Sequence, residues 1–173
     1  MKTSIILILL SFELITFAQV RNFDGPPEVD YKKEISDVSI LIKQFPDSVN
    51  YYVKRAELVF QVKTYYRQNS DFADLKYKDV LIDMDKAISI QPNAAYLYEK
   101  RGNYKWEMFQ DTTGAMIDKS KAVEIEPNNP DWLDKRGTLY VQIGNYTKAC
   151  EDYKKGASMG HVICKRSVEA FCR

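Results

Sequence analysis

Histidine occurs once in the chain, at His161, which excludes most catalytic triads and any pair of histidines on one metal ion. No glycine-rich phosphate loop and no nucleophile elbow appear either. Acidic neighbours such as Asp83 and Asp85, or Glu124 and Glu126, fall on different faces of a helix and read as solvated charges rather than acid–base pairs. Long runs of one charge are missing, and the formal net charge is +1, so the chain lacks the basic face that a nucleic-acid grip requires. No stretch alternates polar and apolar residues as a half-buried strand does. Catalysis, nucleic-acid binding and cofactor use are therefore not expected.

Apolar runs are confined to the N-terminus. Lys2 precedes Ile5-Ile6-Leu7-Ile8-Leu9-Leu10, and Thr16-Phe17-Ala18 places small residues before Gln19. That pattern is a secretory signal over residues 1–18, cut after Ala18, although Glu13 is an odd residue within it. The run is shorter than the roughly 20 residues of a membrane span, so no integral span is expected after its removal. No cysteine follows the run to accept a lipid. The reading is an exported protein, periplasmic or secreted. Residues 19–28 form a flexible lead in which Gly25-Pro26-Pro27 blocks regular structure, and residues 29–173 form the folded domain.

What the domain does have is a rhythm. Lys54-Arg55-Ala56, Lys100-Arg101-Gly102 and Lys135-Arg136-Gly137 are separated by steps of 46 and 35 residues. Pro46, Pro92 and Pro127 share those steps, as do Leu41, Ala87 and Ala122. Unrelated residue types keeping one irregular spacing mark one structural unit copied several times. Apolar periodicity and capping residues then divide the domain into eight helices. These lie at about 29–44, 49–65, 80–91, 94–109, 112–125, 130–143, 145–158 and 161–171. Asp111 or Thr112 and Asn145 stand at N-cap positions, and Gly144 past a helix end. An insert over 63–79, carrying Tyr65, Tyr66, Phe72 and Tyr77, either lengthens two helices or projects as a loop.

These residues resemble the tetratricopeptide repeat, a pair of antiparallel helices of about 34 residues. The last copy carries the pattern through Leu133, Gly137, Tyr140, Gly144, Tyr146, Ala149, Tyr153 and Gly156. The middle copy carries Tyr98, Gly102, Ala115, Ala122 and Pro127, and the first Tyr52, Ala56, Val80, Ala87 and Pro92. Two departures are Lys119, where a large apolar residue is usual, and Val80, where a small one is. The resemblance implies an all-α superhelix of antiparallel helix pairs, an α-solenoid. Its repeats run over about 49–94, 95–129 and 130–160, with a half repeat before them and a capping helix at about 161–171. It also resembles small exported bacterial proteins of this type.

In that family the first helix of each pair lines a concave face that binds protein or peptide. Carried over, the face includes Glu57, Phe60, Tyr96, Glu99, Asn103, Trp106, Asp131, Asp134 and Thr138, with Asn50, Val53, Glu107 and Val141 beside them. The surface reads as acidic with aromatic patches, suited to a basic or amphipathic peptide. Glu99 stands where some members have a lysine for a partner's terminal carboxylate, which argues against that mode. The implied function is a non-catalytic binding scaffold. The alternative is a structural subunit of an envelope assembly that uses the convex face, the insert or Cys164. Arg55, Arg101 and Arg136 occupy a position that is normally apolar, and read as a structural ladder rather than a row of anion sites.

Cys150, Cys164 and Cys172 close the chain. An oxidising compartment leaves one disulfide and one thiol. Folding back at Met159-Gly160 sets Cys150 about three residues from the level of Cys172 and about five from Cys164. Cys150–Cys172 is therefore the expected pair, stapling the last helix. Cys164 is then a buried small hydrophobe or an intermolecular partner. A zinc site is not expected, because the closely spaced cysteine pair of structural zinc is missing.

Overall fold

The computed structural model describes residues 30–65 and 72–172, and eight helices are found among them. They are α1 Tyr31–Gln44, α2 Val49–Tyr65, α3 Tyr77–Ile90, α4 Ala95–Phe109, α5 Thr112–Ile125, α6 Pro130–Gln142, α7 Tyr146–Ser158 and α8 Val162–Phe171. The signal segment 1–18, the lead at 19–28 and insert residues 66–71 lie outside the described residues. Each helix packs on the next in chain order, most extensively within the pairs α2/α3, α4/α5 and α6/α7. Contacts between helices distant in sequence are few, with α6 against α8 the main one. That is the arrangement of a solenoid, in which each pair hides its apolar side against its neighbours.

Local chemistry sets the helix ends. Asp111 accepts from the Gly114 amide at 2.8 Å, and Asn145 accepts from that of Lys148 at 3.2 Å. Asn129 caps α6, with Pro130 in the first turn where its missing N–H costs nothing. Gly144 and Gly160 take left-handed φ values of 76° and 87° past the ends of α6 and α7. In two copies a tyrosine closes the preceding turn: Tyr52 donates to the Pro46 carbonyl and Tyr98 to that of Pro92, both at 3.0 Å. Among the described residues the insert adds little helix. α2 runs 17 residues against 15 for α4, and most of the additional chain lies between Tyr65 and Tyr77. Two bonds tie its edges, Lys63 Nζ to the Phe72 carbonyl and the Tyr77 hydroxyl to the Lys63 carbonyl.

Small residues sit where helices touch. Ala56, Ala87, Ala115 and Ala149 are fully buried, and Val80 is accommodated with no exposure. At Gly137 an added Cβ would stand 2.7 Å from the Tyr153 ring, which itself is 2% exposed. The glycine is what lets α6 and α7 approach.

The repeated tripeptide now has a mechanical account. Arg55 grips Asp83, Arg101 grips Asp118 and Arg136 grips Asp152, each through Nε and Nη2 onto both carboxylate oxygens at 2.6–2.9 Å. Each arginine joins the two helices of its own pair. The preceding lysine reaches backward instead: Lys54 to Glu34, Lys100 to Glu57 and Lys135 to Glu99. Ala56, Gly102 or Gly137 completes the unit by allowing close packing. Asp83 thus departs from its reading as a solvated charge. It is 2% exposed because α2 lies over it and supplies the guanidinium.

Candidate protein-binding groove

Two adjoining cavities open across α2, α4 and α6, with volumes of about 470 and 300 Å³. They share Glu99, Asn103, Glu107 and Lys135. The first adds Glu57, Phe60, Tyr104 and Lys100, and the second adds Trp106, Lys119 and Thr138. Helical spacing explains the set, since residues 99, 103 and 107 recur every four positions along α4 and stack on one face. Phe60 packs on Tyr104 with centroids 4.9 Å apart, which gives the floor an apolar patch.

Of the residues expected on this face, Glu57, Phe60, Glu99, Asn103, Trp106 and Thr138 line the cavities. Tyr96, Asp131 and Asp134 do not. Tyr96 is on the surface outside them, 36% exposed. Asp131 and Asp134 turn toward α8, which packs against this end of α6: Asp131 Oδ1 is 2.9 Å from His161 Nε2, and Asp134 Oδ1 is 4.0 Å from Cys164 Sγ.

The groove is not the acidic surface that the expected face residues alone imply. Glu99 is 6% exposed and its Oε1 accepts from Asn103 at 2.7 Å, with Lys135 Nζ at 3.2 Å and Lys119 Nζ at 3.8 Å. Lys119 in turn donates to Asn103 Oδ1 at 2.5 Å. Lys100 bonds Glu57 at 2.7 Å. The cavity walls therefore carry lysines 100, 119 and 135 beside glutamates 57, 99 and 107. Lys119 comes from α5, a second helix that the expected face does not include, whereas Lys100 and Lys135 stand on the first helices α4 and α6 as members of the repeated tripeptide. Burial lowers the Lys119 pKa, with the Glu99 carboxylate opposing it. The Tyr104 hydroxyl is pushed well up by burial and by Glu57, Glu107 and Glu99.

At the far end, Cys150 and Cys172 stand at disulfide distance, Sγ atoms 2.08 Å and Cα atoms 5.5 Å apart, joining α7 to the end of α8. Cys164 is fully buried, so the intermolecular role is closed to it and the buried one remains.

No protein-family model and no curated protein matches the sequence. Solved structures do. MamA superposes with a TM-score of 0.58 at 20% identity, over 76% of this chain and 64% of its own length. TTC0263, a thermophilic TPR protein in Thermus thermophilus, gives 0.62 at 17% identity, over 80% of this chain and 70% of that one. The fold is that of the tetratricopeptide repeat. A further tetratricopeptide-like match is MamA 41-end from Desulfovibrio magneticus RS-1, at 0.60 and 16% identity over 76% of this chain. The all-α solenoid of helix pairs is thus common to all three, and the chain spans about two thirds of the MamA structures. No helix among the described residues is long and apolar enough to cross a membrane.

Proposed function

We propose that this protein is an exported, non-catalytic scaffold that binds a protein or peptide along the groove formed by α2, α4 and α6. The observation that carries the reading is the pair of adjoining cavities on three successive repeats, with aromatic floor and charged rim. An amphipathic segment suits this surface: apolar side chains cover Phe60, Tyr104 and Trp106, while polar ones meet the lysines and glutamates beside them. Aromatic anchors supply the affinity, and the mixed charges supply register rather than attraction, since they already neutralise one another. Export follows from the N-terminal signal pattern, and places the partner in the cell envelope or outside it.

The test is capture of partners from the protein's own cell envelope with the wild type and with Trp106→Ala and Phe60→Ala. Both variants are expected to keep their helicity by circular dichroism and to lose the captured species. Recovery of the same species by both variants moves the binding surface off the groove.

A further inference from the structure

Outside the groove, the packing of α8 on α6 gathers one imidazole, one thiol and two carboxylates that no part of the binding role uses. We propose that Asp134, His161 and Cys164 form a site for a divalent transition ion, zinc foremost, with Asp131 as the carboxylate that orients the imidazole.

The geometry runs from the outside inward. Asp131 Oδ1 lies 2.9 Å from His161 Nε2, so that nitrogen carries the proton and Nδ1 keeps its lone pair. Nδ1 faces Cys164, 3.0 Å from Sγ. Sγ lies 4.0 Å from Asp134 Oδ1, and the nitrogen, sulfur and oxygen all fall within 4.8 Å of one another. Four-coordinate zinc separates such donors by about 3.3–3.6 Å, given metal bonds of about 2.0–2.3 Å. Small rotations of His161 and Asp134 therefore close the set. Three protein donors leave a fourth position on the side of Asp134 and His161, both partly exposed, while Cys164 backs the site from the core.

The donor chemistry favours zinc over calcium or magnesium, which prefer oxygen alone. Binding exchanges the thiol proton for the ion: the proton leaves to solvent as the sulfur–metal bond forms. Thiolate, carboxylate and neutral imidazole then balance a divalent charge, so the ion and its three ligands are neutral together, with the exposed Asp131 carboxylate outside them. His161 already caps α8 by accepting from the Cys164 amide at 3.3 Å, a long bond that the ion would replace. Capping alone is done well by Asn, Asp or Ser and needs neither the thiol nor Asp134 beside it. A bound ion would fasten α8 to α6, complementing the Cys150–Cys172 link from α8 to α7.

The test uses the full chain with Cys150 and Cys172 oxidised, titrated with Zn²⁺ and separately with Co²⁺. One ion per chain is expected, with a thiolate-to-cobalt charge-transfer band in the cobalt form. His161→Asn keeps a capping side chain and loses the ligand, so affinity is expected to fall more than about 100-fold while the fold persists. Asp131→Asn is expected to weaken it by about 10–100-fold. Absence of uptake, a cobalt spectrum without the thiolate band, or unchanged affinity in His161→Asn each overturns the site. Should Cys164→Ser fail to fold, the charge-transfer band still reports sulfur ligation in the wild type.

Discussion

Arg136 holds Asp152 in two parallel bonds, Nε 2.8 Å from Oδ2 and Nη2 2.6 Å from Oδ1, across the α6/α7 pair. Among the described residues Asp152 has no other ion-pair partner, whereas Asp118 keeps Lys105 at 2.8 Å besides Arg101. Removing one member of a buried pair strands the other charge and costs about 3–5 kcal/mol. Arg136→Leu is therefore expected to lower the urea midpoint more than Arg101→Leu does. The double variant Arg136→Leu, Asp152→Leu is expected to recover most of the loss. Equal losses in the two single variants would show that the second cation at Asp118 contributes nothing.

The arginine ladder shows what sequence could and could not deliver. The tripeptide announced a repeat and the arginines announced a structural role, because three copies kept one spacing. The tripeptide does not mark their acceptors, although Asp83, Asp118 and Asp152 also step by 35 and 34 residues. The insert hid the link: Arg55 and Asp83 stand 28 positions apart, against 17 and 16 in the later copies. Glu99 was legible as a residue of the groove-lining helix, but its burial was not. That burial depends on Lys119 and Lys135 arriving from two other helices. Cys164 and His161 are three residues apart in sequence, yet Asp134 joins them only because α8 folds back on α6.

Lys119 occupies a position that a large apolar residue usually fills, and burial depresses its pKa. A lysine with a folded-state pKa below its unfolded value of 10.5 opposes folding at neutral pH, and that penalty is relieved as pH rises from the folded value toward 10.5. The double variant Lys119→Met, Glu99→Met, which removes both members of the buried pair instead of stranding the carboxylate, is therefore expected to be neutral or stabilising by about 1–2 kcal/mol near pH 7. Its advantage over the wild type is expected to shrink as unfolding is followed toward pH 10.5. An advantage that grows with pH would contradict the assignment.

Gly137→Ala sets helix propensity against packing. Alanine favours the helix by about 1 kcal/mol, but its methyl would press on the buried Tyr153 ring. Overpacking of that kind costs about 1–3 kcal/mol, so a net loss of stability is expected from thermal unfolding. A rise in Tm would mean that Tyr153 yields freely.

Severing the Cys150–Cys172 link by Cys172→Ser is expected to cost about 3 kcal/mol, the usual value for closing a loop of this size. The effect is expected to be local. Amides of α7 and α8 should exchange faster, while those of α2 to α5 should hardly change, because each pair contacts only its neighbours. Uniform acceleration across the chain would indicate one cooperative unit.

Because each guanidinium of the ladder grips its buried carboxylate inside its own hairpin, the chain can be lengthened or shortened by whole units without orphaning a core aspartate. Excising residues 95–129 would carry Arg101 away together with Asp118. Among the described acids left behind, only Asp85 and Glu57 would lose an ion pair, and both reach solvent. The architecture is in that sense editable, with its electrostatic accounts closed hairpin by hairpin, and the length of the surface offered to a ligand can evolve separately from the stability of each part.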